Sequence, residues 1–136
     1  MKILIMGLPG SGKTYLAERL QPLLDAAWYN ADKVRGMAGD WDFSDDGRTR
    51  QSLRMKNLAD FETSHNRFVI CDFVCPTEET RNIFDTDILI WLDTIKEGRF
   101  EDTNKIFEEP SDCDFKIEEW NETNHVTIAE ELKNNV

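Results

Sequence analysis

The chain has 136 residues, 40% of them apolar, with 27 acidic side chains against 16 lysines and arginines and a net charge of −11. That length suits one domain with a proper core and leaves no room for a second, so residues 1–136 are read as a single unit. The acidic balance argues against binding nucleic-acid polymers or anionic membranes, because such a surface repels phosphate polymers. An anionic small ligand would therefore need a local basic pocket. The opening MKILIMG is too short for a leader or a membrane span, which leads to the expectation of a cytoplasmic protein. Cys71, Cys75 and Cys113 lack zinc-ligand pairing and read as reduced thiols.

In chain order, the apolar run Ile3–Met6, ended by Gly7, reads as a buried strand. Residues 14–24 carry Tyr15, Leu16, Leu20, Leu23 and Leu24 at helical spacing, with Pro22 expected to kink or end that helix. Residues 26–30 read as a second strand, 32–37 as a short helix and 39–47 as a Gly/Asp-rich loop. A longer helix spans 48–64, with Leu53, Leu58 and Phe61 on one side. Residues 68–74 form a third strand, interrupted by Asp72. Residues 77–84 form a short helix with Thr77 as its cap. A fourth strand spans 88–92. Residues 95–110 are charged and weakly patterned and read as a mobile loop or lid. A weaker strand at 114–117 and a helix at 127–132 complete the pattern. Strands alternating with helices indicate an α/β fold, a five-stranded parallel sheet with helices on both faces.

Gly7-Leu8-Pro9-Gly10-Ser11-Gly12-Lys13-Thr14 satisfies G-x-x-x-x-G-K-S/T at every fixed position, between an apolar strand and a helical pattern. Such a loop turns backbone N–H groups onto phosphate oxygens, and the helix that follows presents its free N–H groups to the same anion. Lys13 supplies a point charge at the β- and γ-phosphates, and the Thr14 hydroxyl is a Mg²⁺ ligand. This predicts a P-loop NTPase fold that takes ATP and Mg²⁺. Asp72 ends an apolar strand, where a metal-side carboxylate belongs. Asp32 directly follows the second strand, at the edge that lines the ligand crevice of such sheets. Both acids have a plainer reading as caps of neighbouring turns. Arg35, Arg48, Arg54 and Arg81 are candidates for the local positive pocket. Trp41 and Phe43, in a polar loop, either stack on a ligand or tuck into the core.

These residues, in order, resemble those of the adenylylsulfate (APS) kinases, which transfer the γ-phosphate of ATP to the 3′-hydroxyl of APS. Gly7–Thr14 matches their phosphate loop. Asn30-Ala31-Asp32-Lys33-Val34-Arg35 is similar to their D-G-D-N-V/I-R block. Asp42-Phe43-Ser44 with Arg48 and Gln51 resembles G-F-S-x-x-x-R-x-x-N. Val74-Cys75-Pro76 resembles I-S-P, and Phe107-Glu108-Glu109-Pro110 resembles Y-E-x-P. The resemblance implies that Asp32 acts with Lys13 in catalysis, as base or metal partner near the acceptor hydroxyl. It implies that Arg35 and Arg48 hold the phosphosulfate, that Phe43 stacks on the adenine and that Gln51 stands in for an Asn. Arg99 would remain from a lid that is drastically shortened here. Thr14 and Asp72 would hold the metal. Asn30, Asp42 and Cys75 depart from the family pattern, and Asp42 adds negative charge beside an anionic acceptor. Adenylylsulfate is the favoured acceptor. A kinase of another small hydroxyl or nucleotide acceptor, or a nucleotide-binding module with little catalysis, are the alternatives.

Overall fold

The computed structural model describes residues 1–135. Five strands, β1 (Lys2–Met6), β2 (Ala27–Asn30), β3 (Val69–Asp72), β4 (Ile88–Leu92) and β5 (Phe115–Ile117), form one sheet in the order β2-β3-β1-β4-β5. Every pairing is parallel. The helices are α1 (Lys13–Leu24), α2 (Ala31–Ala38), α3 (Asp45–Thr63), α4 (Glu78–Phe84), α5 (Glu101–Ile106) and α6 (Asn124–Asn134).

The central strand β1 is buried along its whole length. Its side chains alternate between two cores, as the period of a strand requires. Ile3 and Ile5 pack with Leu16, Ala17 and Leu20 of α1 and Ile128, Ala129 and Leu132 of α6. Leu4 and Met6 face Val34 of α2, Met55 and Ala59 of α3 and Phe84 of α4. Helices therefore cover both faces, which is why β1, β3 and β4 read as continuous apolar runs. The chain first builds outward from β1 on the β3 side, then crosses to β4. The carboxyl ends of the strands around β1 consequently open into a crevice.

Several boundaries differ from the sequence expectation. Helix α1 runs through Pro22 to Leu24 and stops at Asp25, in the left-handed region at φ 48. Proline forfeits one backbone bond, and so near the C-terminal end the remaining bonds carry the helix two residues past it. Helix α3 starts at Asp45, not Arg48. Ser44 accepts a hydrogen bond from the Gly47 amide, and Asp45 and Asp46 occupy the positive first turn. The region 95–110 is not loop throughout, because it contains α5. Glu101 and Asp102 lie in the first turn of α5 and Lys105 in its last, complementing the helix dipole. Thr77 caps α4 in a reciprocal capping box with Thr80. Among the described residues no helix is long and apolar enough to cross a membrane, and the three cysteines are free.

Leu20 is fully buried between α1 and the sheet. Leu20→Ala is expected to lower unfolding free energy by about 2–5 kcal/mol in urea denaturation, through lost transfer energy plus a cavity.

Candidate active site at the carboxyl edge of the sheet

The turn after β1 wraps back on itself. The Ser11 amide donates to Leu8 O at 3.0 Å, and α1 begins immediately, with Gly12 as its N-cap at φ 102. The first N–H groups of α1 have no acceptor within the helix and point into the turn. Only glycine fits at two positions. A Cβ on Gly7 would lie 2.5 Å from Ser11 Oγ and 2.8 Å from Leu92 O. A Cβ on Gly12 would lie 2.3 Å from Trp120 Cζ2, and its φ is one that side chains disfavour. Thr94 of the segment after β4 donates to Ser11 O at 2.8 Å and ties the far side of the turn.

Lys13 Nζ donates to Gly7 O at 3.1 Å and Leu8 O at 3.2 Å, so the ammonium lies inside its own loop. Burial pulls its pKa down to about 8, against the opposing fields of Asp72 and Asp32, while Arg99 adds a further downward push. A triphosphate offers stronger, charged acceptors than these two carbonyls.

Thr14 and Asp72 meet across the β1–β3 edge. Thr14 Oγ1 donates to Asp72 Oδ2 at 3.2 Å. Asp72 is 2% exposed. Burial pushes its carboxyl above the usual range, opposed by hydrogen bonds from Trp28, Asn30 and Thr14 and by the Lys13 charge. The donor set of one hydroxyl and one carboxylate fits a hard divalent ion such as Mg²⁺, which keeps waters and substrate phosphates as its other ligands. Among the described residues no group of three or more His, Cys, Asp or Glu side chains could hold a metal ion.

Most of the residues expected on the acceptor side lie on α2, α3 and the loop between them. Asp32 is exposed in the first turn of α2, within the field of Lys13. The cap of α2 is Asn30, whose Oδ1 accepts from the Lys33 amide at 3.0 Å, so Asp32 does not serve as that cap. Arg35 is buried. It donates to Asp40 O at 2.9 Å and Asp42 O at 3.2 Å, and its guanidinium carbon lies 4.4 Å from the Phe43 ring centre. Arg48 donates to Phe43 O at 2.9 Å, with its guanidinium 5.7 Å from the same ring. Phe43 and Trp41 are both more than half exposed, which excludes the core reading for either. Gln51 is buried and donates to Ala31 O at 3.1 Å. Arg54 joins Arg50 on Asp40 and donates to Gln51 Oε1. Arg81 instead binds the strand exit, at Cys75 O, Pro76 O and Glu108 O. Arg99 is exposed beside Phe100, and the neighbouring Gly98 is held by Asn104.

Two tryptophans at this edge carried no signal in the sequence. Trp28 Nε1 donates to Asp72 Oδ1 at 2.7 Å. Trp120, before α6, packs edge-on to Tyr15 with ring centres 5.1 Å apart and lies against Gly12. Only the position of their ring edges in the fold reveals these contacts.

The parallel sheet, the glycine-rich turn between β1 and α1 and the Lys13–Thr14–Asp72 cluster define a P-loop NTPase fold. The chain belongs to the AAA domain family, whose model matches residues 3–112. Over 88 residues it is 35% identical to a probable adenylyl-sulfate kinase of Aeropyrum pernix. That alignment covers 58% of this chain and 46% of the relative, so the match spans about half the relative's length. The fold is similar to that of the APS kinase CysC of Mycobacterium tuberculosis solved with AMPPNP and APS. The TM-score is 0.73 at 17% identity, covering 98% of this chain and 95% of that one. It is also similar to shikimate kinase from Aquifex aeolicus, with TM-score 0.68 at 20% identity over 99% and 98% of the two chains. At these identities the structural likenesses establish the fold.

Two predictions follow from the loop geometry. Gly12→Ala is expected to cost about 1–3 kcal/mol, because a side chain is forced into the left-handed region and against Trp120. Adding Trp120→Ala should recover only the steric part in urea denaturation. Separately, Lys13 is about half protonated at pH 8 in the free protein. A bound triphosphate favours the charged form, so binding at that pH takes up protons, and affinity falls as pH rises above about 8. Calorimetry in buffers of different ionisation enthalpy measures the uptake.

Proposed function

We propose that the chain is an ATP-dependent small-molecule kinase with adenylylsulfate as its acceptor. The observation that carries this reading is the juxtaposition of Lys13, Thr14 and Asp72 around an amide-lined turn, with Asp32 and the Arg35–Phe43–Arg48 stack on the neighbouring elements. The amides of the Gly7–Thr14 turn and the Lys13 ammonium would grip the phosphate tail. Lys13 leaves the Gly7 and Leu8 carbonyls to do so. Thr14 and Asp72 would hold Mg²⁺, which when bound neutralises charge on the β- and γ-phosphates.

Asp32 would orient or deprotonate the acceptor hydroxyl, a role supported by its exposed carboxylate and its position within the field of Lys13. The exposed face of Phe43 offers a stacking surface for a base, with Arg35 and Arg48 beside it to meet an anionic group. Arg99 stands near enough to bias Lys13 and would add positive charge as the phosphoryl group moves. With so small a lid segment, catalysis rests on positioning and fixed charge. The sequence match to a probable adenylyl-sulfate kinase supports the choice of acceptor.

A second reading keeps the kinase chemistry and changes the acceptor to another small hydroxyl compound. It is favoured by the charge on the acceptor side. Asp40 takes two hydrogen bonds from Arg50 and one from Arg54, and Asp42 takes a further one from Arg50. The same Asp40 carboxylate lies 4.0 Å from the Arg35 guanidinium, so negative charge stands beside one of the two cations that would meet a dianionic ligand.

ADP release from ATP and Mg²⁺, with and without APS, tests the first reading. APS-dependent release is expected, with Asp32→Asn lowering kcat by about 10²–10⁴ while leaving ATP binding intact. Release that depends on another hydroxyl acceptor and not on APS would establish the second reading in its place.

A further inference from the structure

We propose that Trp28 and Asn30 are positioning residues, a two-point clamp on β2 that holds Asp72 in register with Thr14 for the metal-bound nucleotide. This inference rests on the nucleotide-binding reading above and extends it to two side chains outside the phosphate loop.

The clamp follows from strand geometry. Residues two apart on a strand share a face, so Trp28 and Asn30 both project from one side of β2. In the parallel register Asn30 lies opposite Asp72, and Trp28 lies opposite Ile70. The Asn30 amide reaches Asp72 Oδ2 at 3.0 Å, and the longer indole reaches Oδ1 at 2.7 Å. The two donors take different oxygens, which fixes the carboxylate plane as well as its position. Asn30 is itself tied down, since its Oδ1 caps α2 through the Lys33 amide. Its Nδ2 also stands 3.4 Å from Thr14 Oγ1, so one amide touches both members of the hydroxyl–carboxylate pair.

The consequence concerns Thr14. A hydroxyl that gives a lone pair to a cation must direct its proton elsewhere, and Asp72 Oδ2 is the acceptor 3.2 Å away. A carboxylate free to rotate about its last bond would not hold that acceptor in place. Trp28, donating to the opposite oxygen, prevents the rotation. Partners that orient a ligand in this way commonly govern metal affinity by about 10–100-fold when removed. An aspartate at position 30 has no proton to donate to Asp72, so the asparagine here is what makes a two-donor clamp possible.

The test uses the intact chain and titration calorimetry with AMPPNP, once with Mg²⁺ and once with EDTA. The ratio of the two affinities is the metal-dependent gain. Trp28→Phe keeps the ring and removes only the N–H. It is expected to reduce the gain by about 10-fold while the affinity in EDTA is unchanged, since the amide turn and Lys13 are untouched. In an Asp72→Asn background the same change should have no further effect on the gain. Asn30→Ala, on the half-exposed end of the clamp, is the second variant and should act in the same direction. Thermal unfolding of each variant confirms that it folds, and if Trp28→Phe does not fold, Asn30→Ala alone decides. An undiminished gain in the folded variants overturns the clamp. So does an equal loss of affinity with and without metal, which marks a purely structural role. If the unaltered protein takes up no AMPPNP under either condition, the nucleotide reading itself fails and the clamp falls with it.

Discussion

The turn that follows β1 is the constraint on which the rest of the site depends. A chain with a large negative charge can attract an anion only where backbone dipoles and a few cations are concentrated. Here a fully buried central strand delivers the chain to the middle of the carboxyl edge, and Gly12 reverses it into α1. The helix then presents unpaired amides to the same small volume. Lys13 lies inside that volume at a cost in solvation, which is why its proton is loosely held. Both the gathering of donors and the tension in the lysine come from one reversal of direction in a crowded place.

The carboxylates of Asp72 and Asp40 are each met by several donors. Asp72 accepts from three side chains of two elements, Thr14 of α1 and Trp28 and Asn30 of β2. Asp40 is met by Arg50 and Arg54, with Arg35 nearby, in the loop between α2 and α3. Arg35 and Arg48, beside the Phe43 ring, are themselves tied to backbone carbonyls of this loop. The loop is thus held by its own side chains, and the rings of Trp41 and Phe43 remain exposed on it.

Much of the fold was legible because its signals are local. The apolar runs of β1, β3 and β4 declare buried parallel strands, and the glycine pattern with Lys13 and Thr14 declares the phosphate loop. Asp72 stood out because it ends an apolar run at the edge where a metal-side carboxylate belongs, and in the fold it lies beside Thr14. The errors also have local causes. Asp45, Asp46 and Gly47 read as loop because polar and glycine residues dominate them, although Ser44 before them is a good cap. Helix α5 was missed because six mostly polar residues show no apolar stripe, and packing against neighbours stabilises so short a helix more than propensity does.

The sequence alone determined the α/β alternation and the place of the glycine-rich turn between β1 and α1, since each is written within a few neighbouring positions. Only the tertiary structure decided which distant side chains support them. Trp28 reaches Asp72 across 44 positions of chain, Trp120 closes on Gly12, and Arg35 turns to the carbonyls of Asp40 and Asp42. The direction of an indole edge or a guanidinium depends on where strands and helices pack, and no local pattern of residues encodes it.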